Sequence, residues 1–204
     1  MSAFGTEGFA TSAEVAVDLY TDTYRVSGVV RTPFTRVAEI LNQLPAGHLS
    51  IERATMSEHA DERGTLAAPT ALVALEEIRV MVAPQLEGSG RSDMRIEKRP
   101  VRALLAIPPF RLTGMVHVSI GSRPVDGILN AHDRFLAMTE VTLTSALHPH
   151  LGRSAAAVAL RRDRAHVLLV VDDERPDELL SDVLDQQTAE RWLHRPRDPA
   201  ERGL

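Results

Sequence analysis

Apolar and polar side chains alternate over several short stretches of this 204-residue chain, which is the pattern of half-buried β-strands. Val15, Val17 and Leu19 alternate with small or polar residues and predict a first strand. The same alternation over residues 24–31 predicts a second strand. Residues 21–23, Thr-Asp-Thr, suit a tight turn because their side chains can hydrogen-bond the turn backbone. The two strands therefore form a predicted hairpin.

After this hairpin the spacing of apolar residues changes from two to three or four, which predicts a short helix. Its apolar face consists of Val37, Ile40, Leu41 and Leu44. Thr35 is a candidate N-cap, and Asn42 is most simply a C-terminal cap. A strand is predicted at 48–57 and a variable polar loop at 58–69. Apolar strand segments then close the unit, Ala71–Leu75 and Ile78–Val82.

The same order of elements is predicted a second time along the chain. Tyr24–Val30 aligns with Phe110–Val116 at an offset of 86, and Leu49–Met56 aligns with Leu136–Leu143 at an offset of 87. Drifts of this size between elements are typical of loop insertions in a duplicated domain. In the second copy the variable loop is predicted at 148–155. The sequence therefore predicts two units with one fold.

Each unit has about 70 residues and five short strands, and a unit of that size must protect its edge strands. A closed barrel is therefore favoured over an open sheet. The predicted fold is mainly β with short helices, two tandem small barrels of the SH3-like or Sm-like kind. The predicted segments are a leader (1–13), a first barrel (14–84), a linker (85–99), a second barrel (100–171) and an acidic C-terminal helix and tail (172–204).

The segments Leu19–Gly28, Arg36–Asn42 and Leu49–Ala54 together resemble an uncharacterised bacterial domain family. Members of that family read as a Tyr-Thr-Asp hairpin, a Leu-Ser-Asp-x-Leu-Asn helix and a Phe-Leu-x-Leu-Thr-Asp-Ala strand. The second copy departs in its hairpin, where Ile107-Pro-Pro109 replaces Tyr-Thr-Asp. A more distant similarity is to Sm-like barrels, but the Arg-Gly pair with which Sm proteins hold RNA is missing. The resemblance therefore implies no assigned activity.

Composition narrows the classes of protein further. The chain has no cysteine, so neither a disulfide framework nor a thiolate metal site can form. The N-terminal residues lack the basic and apolar stretches of a signal peptide, and no apolar run is long enough to cross a bilayer. We therefore expect a cytoplasmic protein. Its oligomeric state is left open by the sequence.

Candidate chemistry is sparse. His148 and His150 are the closest histidine pair, but no third metal ligand is evident nearby. Glu39 and Asp126 occupy similar places in the two copies, yet neither has a partner for acid–base work. The chain contains neither a phosphate-binding glycine loop nor a nucleophile elbow. The sequence thus predicts no catalytic residues, no metal and no cofactor, and a protein that is not an enzyme.

Charge separates the two copies. Residues 13–86 carry 6 basic and 10 acidic residues, whereas residues 95–171 carry 11 basic and 5 acidic residues. Nucleic-acid binding needs such basic charge together with aromatic side chains that stack on bases. Phe110 and Phe135 are better explained as core residues. The candidate contacts for an anionic partner are Arg99, Arg102, Arg161, Arg162 and Arg164.

The C-terminal segment predicts an amphipathic helix that begins near Pro176. Its apolar stripe, the candidate partner-binding surface, consists of Leu180, Val183, Leu184 and Trp192. The favoured interpretation is a non-enzymatic binding or scaffold protein that makes protein–protein contacts through its barrels and this helix. The alternative is a nucleic-acid-binding protein that uses the basic second repeat.

Overall fold

The computed structural model describes residues 12–45, 47–61, 63–84, 98–120, 128 and 133–171, and this part of the chain is mainly β. The order strand, strand, helix, strand, strand, strand predicted for each copy is present in the first half. The elements are β1 (Ala13–Tyr20), β2 (Tyr24–Thr32), α1 (Val37–Asn42), β3 (His48–Glu58), β4 (Leu66–Ala74), β5 (Val80–Val82), β6 (Lys98–Ile107), β7 (Phe110–Ser119), β8 (Phe135–Thr144), β9 (Arg153–Arg161) and β10 (Val167–Val171).

The ten strands of the described residues belong to one sheet, in the order β10-β6-β7-β8-β9-β5-β1-β2-β3-β4. The first half of the chain contributes β1–β5 and the second half contributes β6–β10. The halves meet where β5 pairs with β9, antiparallel, and we call this pairing the joint. The structure thus differs from two separate barrels. Pairing β5 with β9 satisfies backbone groups that an isolated unit would leave exposed at its edge.

The two halves pair their strands in the same register. Val15 lies opposite Val30 in the first hairpin, and Val101 lies opposite Val116 in the second, an offset of 86. The next pairing is shifted by a bulge in both halves, between Ser27 and Val29 and between Thr113 and Met115. The local geometry of one half is therefore repeated in the other.

Glycine stands at the centre of each bulge because no side chain fits there. A Cβ atom on Gly28 would lie 2.6 Å from the carbonyl oxygen of Glu52. A Cβ atom on Gly114 would lie 2.8 Å from that of Thr139. On the facing strands Arg53 and Glu140 adopt positive φ angles of 50° and 53°. The close approach of backbones explains why these two glycines align in the sequence.

Some element boundaries differ from the predicted ones. β4 begins at Leu66 and β9 begins at Arg153, inside the loops predicted at 58–69 and 148–155. These residues extend the sheet because β3 and β8 are long enough to offer partners, such as Met56 opposite Leu66. The predicted helix caps, Thr35 and Asn42, were also wrong. The observed N-cap is Arg36 and the observed C-cap is Gln43.

Two hydrophobic cores fill the fold, and each core takes residues from both halves. The first core is built mainly from β1–β3 and α1, yet it also contains Phe135, Ala157 and Ala159 of the second half. The second core is built mainly from β6–β9, yet it also contains Tyr20, Val80 and Val82 of the first half. Neither core is completed by its own half.

Contacts along the chain separate two compact units, residues 1–170 and residues 171–204. The predicted linker lies outside the described residues up to residue 97, and so does the tail from residue 172. The candidate partner-binding stripe Leu180, Val183, Leu184 and Trp192 therefore falls outside the described part of the chain. No helix among the described residues is long and apolar enough to cross a membrane.

Candidate interaction surfaces

The joint is a short pairing whose two strands are buried on both faces. Met81 lies opposite Ala159, and both side chains point into the first core. Val82 lies opposite Val158, and both point into the second core. All four residues are at most 1% exposed. Each strand of the joint therefore packs one face into the core of its own half and the opposite face into the core of the other half.

Helix α1 of the first half contacts β8 and β9 of the second half, and its Asn42 bonds to β8. Its side-chain amide donates to the carbonyl oxygen of Phe135 and accepts from the Phe135 N–H, both at 2.9 Å. Asn42 is thus a bridge to the first residue of β8, where the sequence predicted a C-terminal cap. A two-point bond of this kind fixes the helix of one half on the strands of the other half.

A partly buried charge cluster lies at one end of the joint. The Asp18 carboxylate accepts hydrogen bonds from Ser27, Arg25 and Arg153, of which Arg153 comes from the second half. Arg153 also donates to the Tyr20 hydroxyl at 3.2 Å. Burial raises the pKa of Asp18, but these donors outweigh it and hold the pKa below its usual value. The cluster is a polar contact between the halves.

His59 lies beside this cluster in a group of rings. It is 1% exposed and packs near Tyr20 and Phe110, with ring centroids 6.2 and 5.3 Å away. Its Nε2 donates to the carbonyl oxygen of Thr21 at 3.1 Å, because a carbonyl can only accept. Its Nδ1 is buried without a hydrogen-bond partner. Burial lowers the pKa of His59, and His148 lowers it further.

The histidine pair of the sequence analysis belongs to this group of rings. The rings of His59 and His148 are 5.5 Å apart, and those of His148 and His150 are 6.1 Å apart. Across the residues with described side chains, no group of three or more metal-ligating side chains is placed to hold an ion. The arrangement packs rings against one another at the boundary between the halves.

The five candidate arginines are not brought together. Arg161 lies at the end of the joint. Its guanidinium donates to the Leu75 carbonyl oxygen at 2.8 Å and pairs with Asp163 at 2.7 Å. That pairing lowers the pKa of Asp163. Arg162 and Arg164 follow in a short turn, with Arg162 half-buried and Arg164 exposed.

In β6, Arg99 lies near the first residue and Arg102 lies near the middle, whereas the turn at 162–164 lies near the last residues. The turn at 162–164 leads to His166, whose N–H donates to the carbonyl oxygen of Ala106. At a rise of about 3.3 Å per residue, Ala106 lies about 13 Å from Arg102 and about 23 Å from Arg99. Because side chains alternate along a strand, Arg99 and Arg102 also point to opposite faces. The arginines therefore do not form one continuous basic patch.

The two ends of the sheet were not predicted to be surfaces, yet three of the exposed large hydrophobic side chains lie there. β4 has nine residues and no charge, and its Leu66 and Leu72 are 64% and 70% exposed. β10 reads Val-Leu-Leu-Val-Val, and its Leu169 is 41% exposed. The signal that could have found them is the register of the repeat, which aligns these strands with the buried strands of the joint.

Comparisons with protein-family models, with curated proteins and with solved structures find no match to this chain.

Proposed function

We propose that this chain is a non-enzymatic binding or scaffold protein that makes protein–protein contacts through β4 and β10, the two ends of the sheet formed by the described residues (the free ends), and through its C-terminal helix. The observation that carries the proposal is the β4 edge. Sheet edges in monomeric proteins are normally protected by charged residues, prolines, bulges or covering segments. β4 has one protective residue, Pro69, but no charge, and both of its leucines face water.

An edge of this kind suits recognition by strand addition. An incoming extended segment forms main-chain hydrogen bonds with the free N–H and C=O groups of the edge, and exposed side chains give the pairing its specificity. Leu66 and Leu72 supply apolar area to such a contact. A cytoplasmic location, the kinship with the bacterial domain family and with Sm-like barrels, and a contact role for the tail helix belong to the same proposal.

A nucleic-acid-binding function through the basic second half is the alternative. It requires Arg99 and Arg102 to act separately from Arg162 and Arg164, since the fifth arginine, Arg161, bonds to Leu75 and Asp163. Phe110 and Phe135 are 2% and 1% exposed, so neither ring is available to stack on a base. These observations favour the protein–protein function.

Site-specific photo-cross-linking in the native host tests the proposal. A photo-reactive phenylalanine is placed at position 72 of the full chain, with a matched control at position 147, where Leu147 is 75% exposed but lies outside the strands. We expect cross-links to protein at position 72 that are at least about tenfold more abundant than those at position 147. Equal labelling at both positions, or cross-links mainly to nucleic acid, would overturn the proposal.

A further inference from the structure

The joint shows how one half of this molecule binds another half, and the free ends of the sheet offer the same two strands again. β9 in the joint corresponds to β4 at one end, because β8–β9 and β3–β4 pair in the same register at an offset of 87. β5 in the joint corresponds to β10 at the other end, because each follows a short turn and pairs with the first strand of its half. The free ends are therefore the two complementary sides of an interface already present in the chain.

Exposure supports this correspondence residue by residue. Along each strand, the side chains that point into the strand's own core are covered at both places, as Val73 and Leu160 are at 9% and 0% exposure. The side chains that point toward the opposite half differ sharply. Ala159 in the joint is 0% exposed, whereas its counterpart Leu72 at the free end is 70% exposed.

The same contrast holds on the other side of the interface. Val82 is 1% exposed because the second core covers it, whereas its counterpart Leu169 is 41% exposed. Both free-end counterparts are leucines, larger than the residues that they match. The positions left uncovered are those that a half of another molecule would cover.

We propose that the protein assembles with itself, head to tail, by pairing β10 of one copy with β4 of the next in the register of the joint. This register places Leu168 opposite Leu72 and Leu169 opposite Ala71, as Met81 lies opposite Ala159 and Val82 opposite Val158. The inference rests on the proposed function and names its partner. Such an interface uses different surfaces on its two sides, so repetition yields a closed ring or an open filament.

Molar mass in solution gives the first test, on the purified full-length chain. We expect light scattering during gel filtration to report a multiple of 22.4 kDa at about 100 µM, and Leu72→Lys combined with Leu169→Lys to return the mass to 22.4 kDa. Leu147→Lys is the matched control and leaves the assembly unchanged. Circular dichroism melting verifies that all variants fold. A wild-type mass of 22.4 kDa at this concentration would overturn the proposal.

Cysteine cross-linking tests the register, and the absence of natural cysteines gives a clean background. Ala71→Cys with Leu169→Cys places two thiols on directly opposed residues, within disulfide reach across an antiparallel pair. Mild oxidation should give a ladder of covalent multimers. Leu66→Cys with Leu169→Cys is the control, because its thiols lie about 16 Å apart in this register. A ladder from the control pair and none from the matched pair would overturn the register.

The two proposals fail in distinguishable ways. If position 72 cross-links to other proteins in the host while the purified chain is a monomer, the binding function stands and self-assembly is wrong. A monomer in which the backbone N–H groups of β10 that point away from β6 also exchange slowly would show that another part of the chain covers this edge, and would likewise overturn self-assembly. Assembly that survives Leu72→Lys with Leu169→Lys would place the interface elsewhere.

Discussion

At the scale of a single residue, His59 couples the stability of the fold to pH. Its ring is buried, its Nδ1 has no hydrogen-bond partner, and burial together with His148 and His150 lowers its pKa below 6.5. The unfolded chain therefore takes up a proton at a higher pH than the folded chain does. The free energy of unfolding accordingly decreases as the pH falls below about 6.5, by at most about 1.4 kcal/mol per pH unit.

We expect His59→Phe to flatten this pH dependence, because phenylalanine keeps the ring packing and cannot be protonated. Urea unfolding at pH 7.5 and pH 5.5 measures the effect in the wild type, in His59→Phe and in His48→Gln, a control at an exposed histidine. The control should keep the wild-type difference between the two pH values. Asp18 does not confuse the measurement, since its contribution is lost only below its usual pKa of 3.8. An unchanged difference in His59→Phe would contradict this explanation.

At the scale of elements, the bulges of β2 and β7 depend on a side chain being absent. Gly28→Ala and Gly114→Ala should each lower the free energy of unfolding by about 1–3 kcal/mol, because the new methyl group collides with a backbone carbonyl. Gly28→Ala should be the more damaging, since its Cβ would also lie 2.5 Å from Ile51 Cγ2. Chemical denaturation checks the order. Gly47→Ala, with no atom within 4 Å of its Cβ, is the neutral control.

The strands that alternate in sequence were predictable because alternation follows directly from one face packing on a core. β4 was predicted too short because Leu66-Ala-Ala-Pro-Thr70 has no alternation, and its pairing with β3 depends on the length of that strand. The pairing of β5 with β9 could not be predicted from local sequence patterns, since the partner of a strand depends on the path of the whole chain. One signal was available: residues 80–83 and 157–160 are uninterrupted apolar runs, typical of strands buried on both faces.

The candidate surfaces were less predictable than the strands. The Asn42 amide bonds a backbone 93 positions away, and Arg153 reaches Asp18 across 135 positions, so no local pattern indicates either contact. Arg161 was predicted to be a surface contact, whereas its side chain is 11% exposed and donates to the Leu75 carbonyl oxygen of the first half. An arginine at the end of an apolar strand reads the same in sequence whether it faces water or another strand.

At the scale of the whole molecule, the shared cores make the two halves cooperative. Met81 is fully buried in the first core, yet it lies on the strand that pairs with β9. We expect Met81→Ala to cost about 2–5 kcal/mol and to lower the protection of both halves together. Hydrogen exchange read by mass spectrometry over β2 and β7 measures this, with Leu147→Ala as the control. Protection lost in β2 and retained in β7 would show that the halves unfold independently.

Because each core needs residues from both halves, the order of synthesis determines when each half can finish folding. The first half leaves the ribosome with its core unfinished, because Ala157 and Ala159, which cover it, are encoded about 75 residues after the end of β5. At about 5–20 residues per second, this interval lasts about 4–15 s. During that time the nascent first half presents open apolar surface to chaperones and to other nascent chains. Translation of the second half therefore determines when the first half can finish folding.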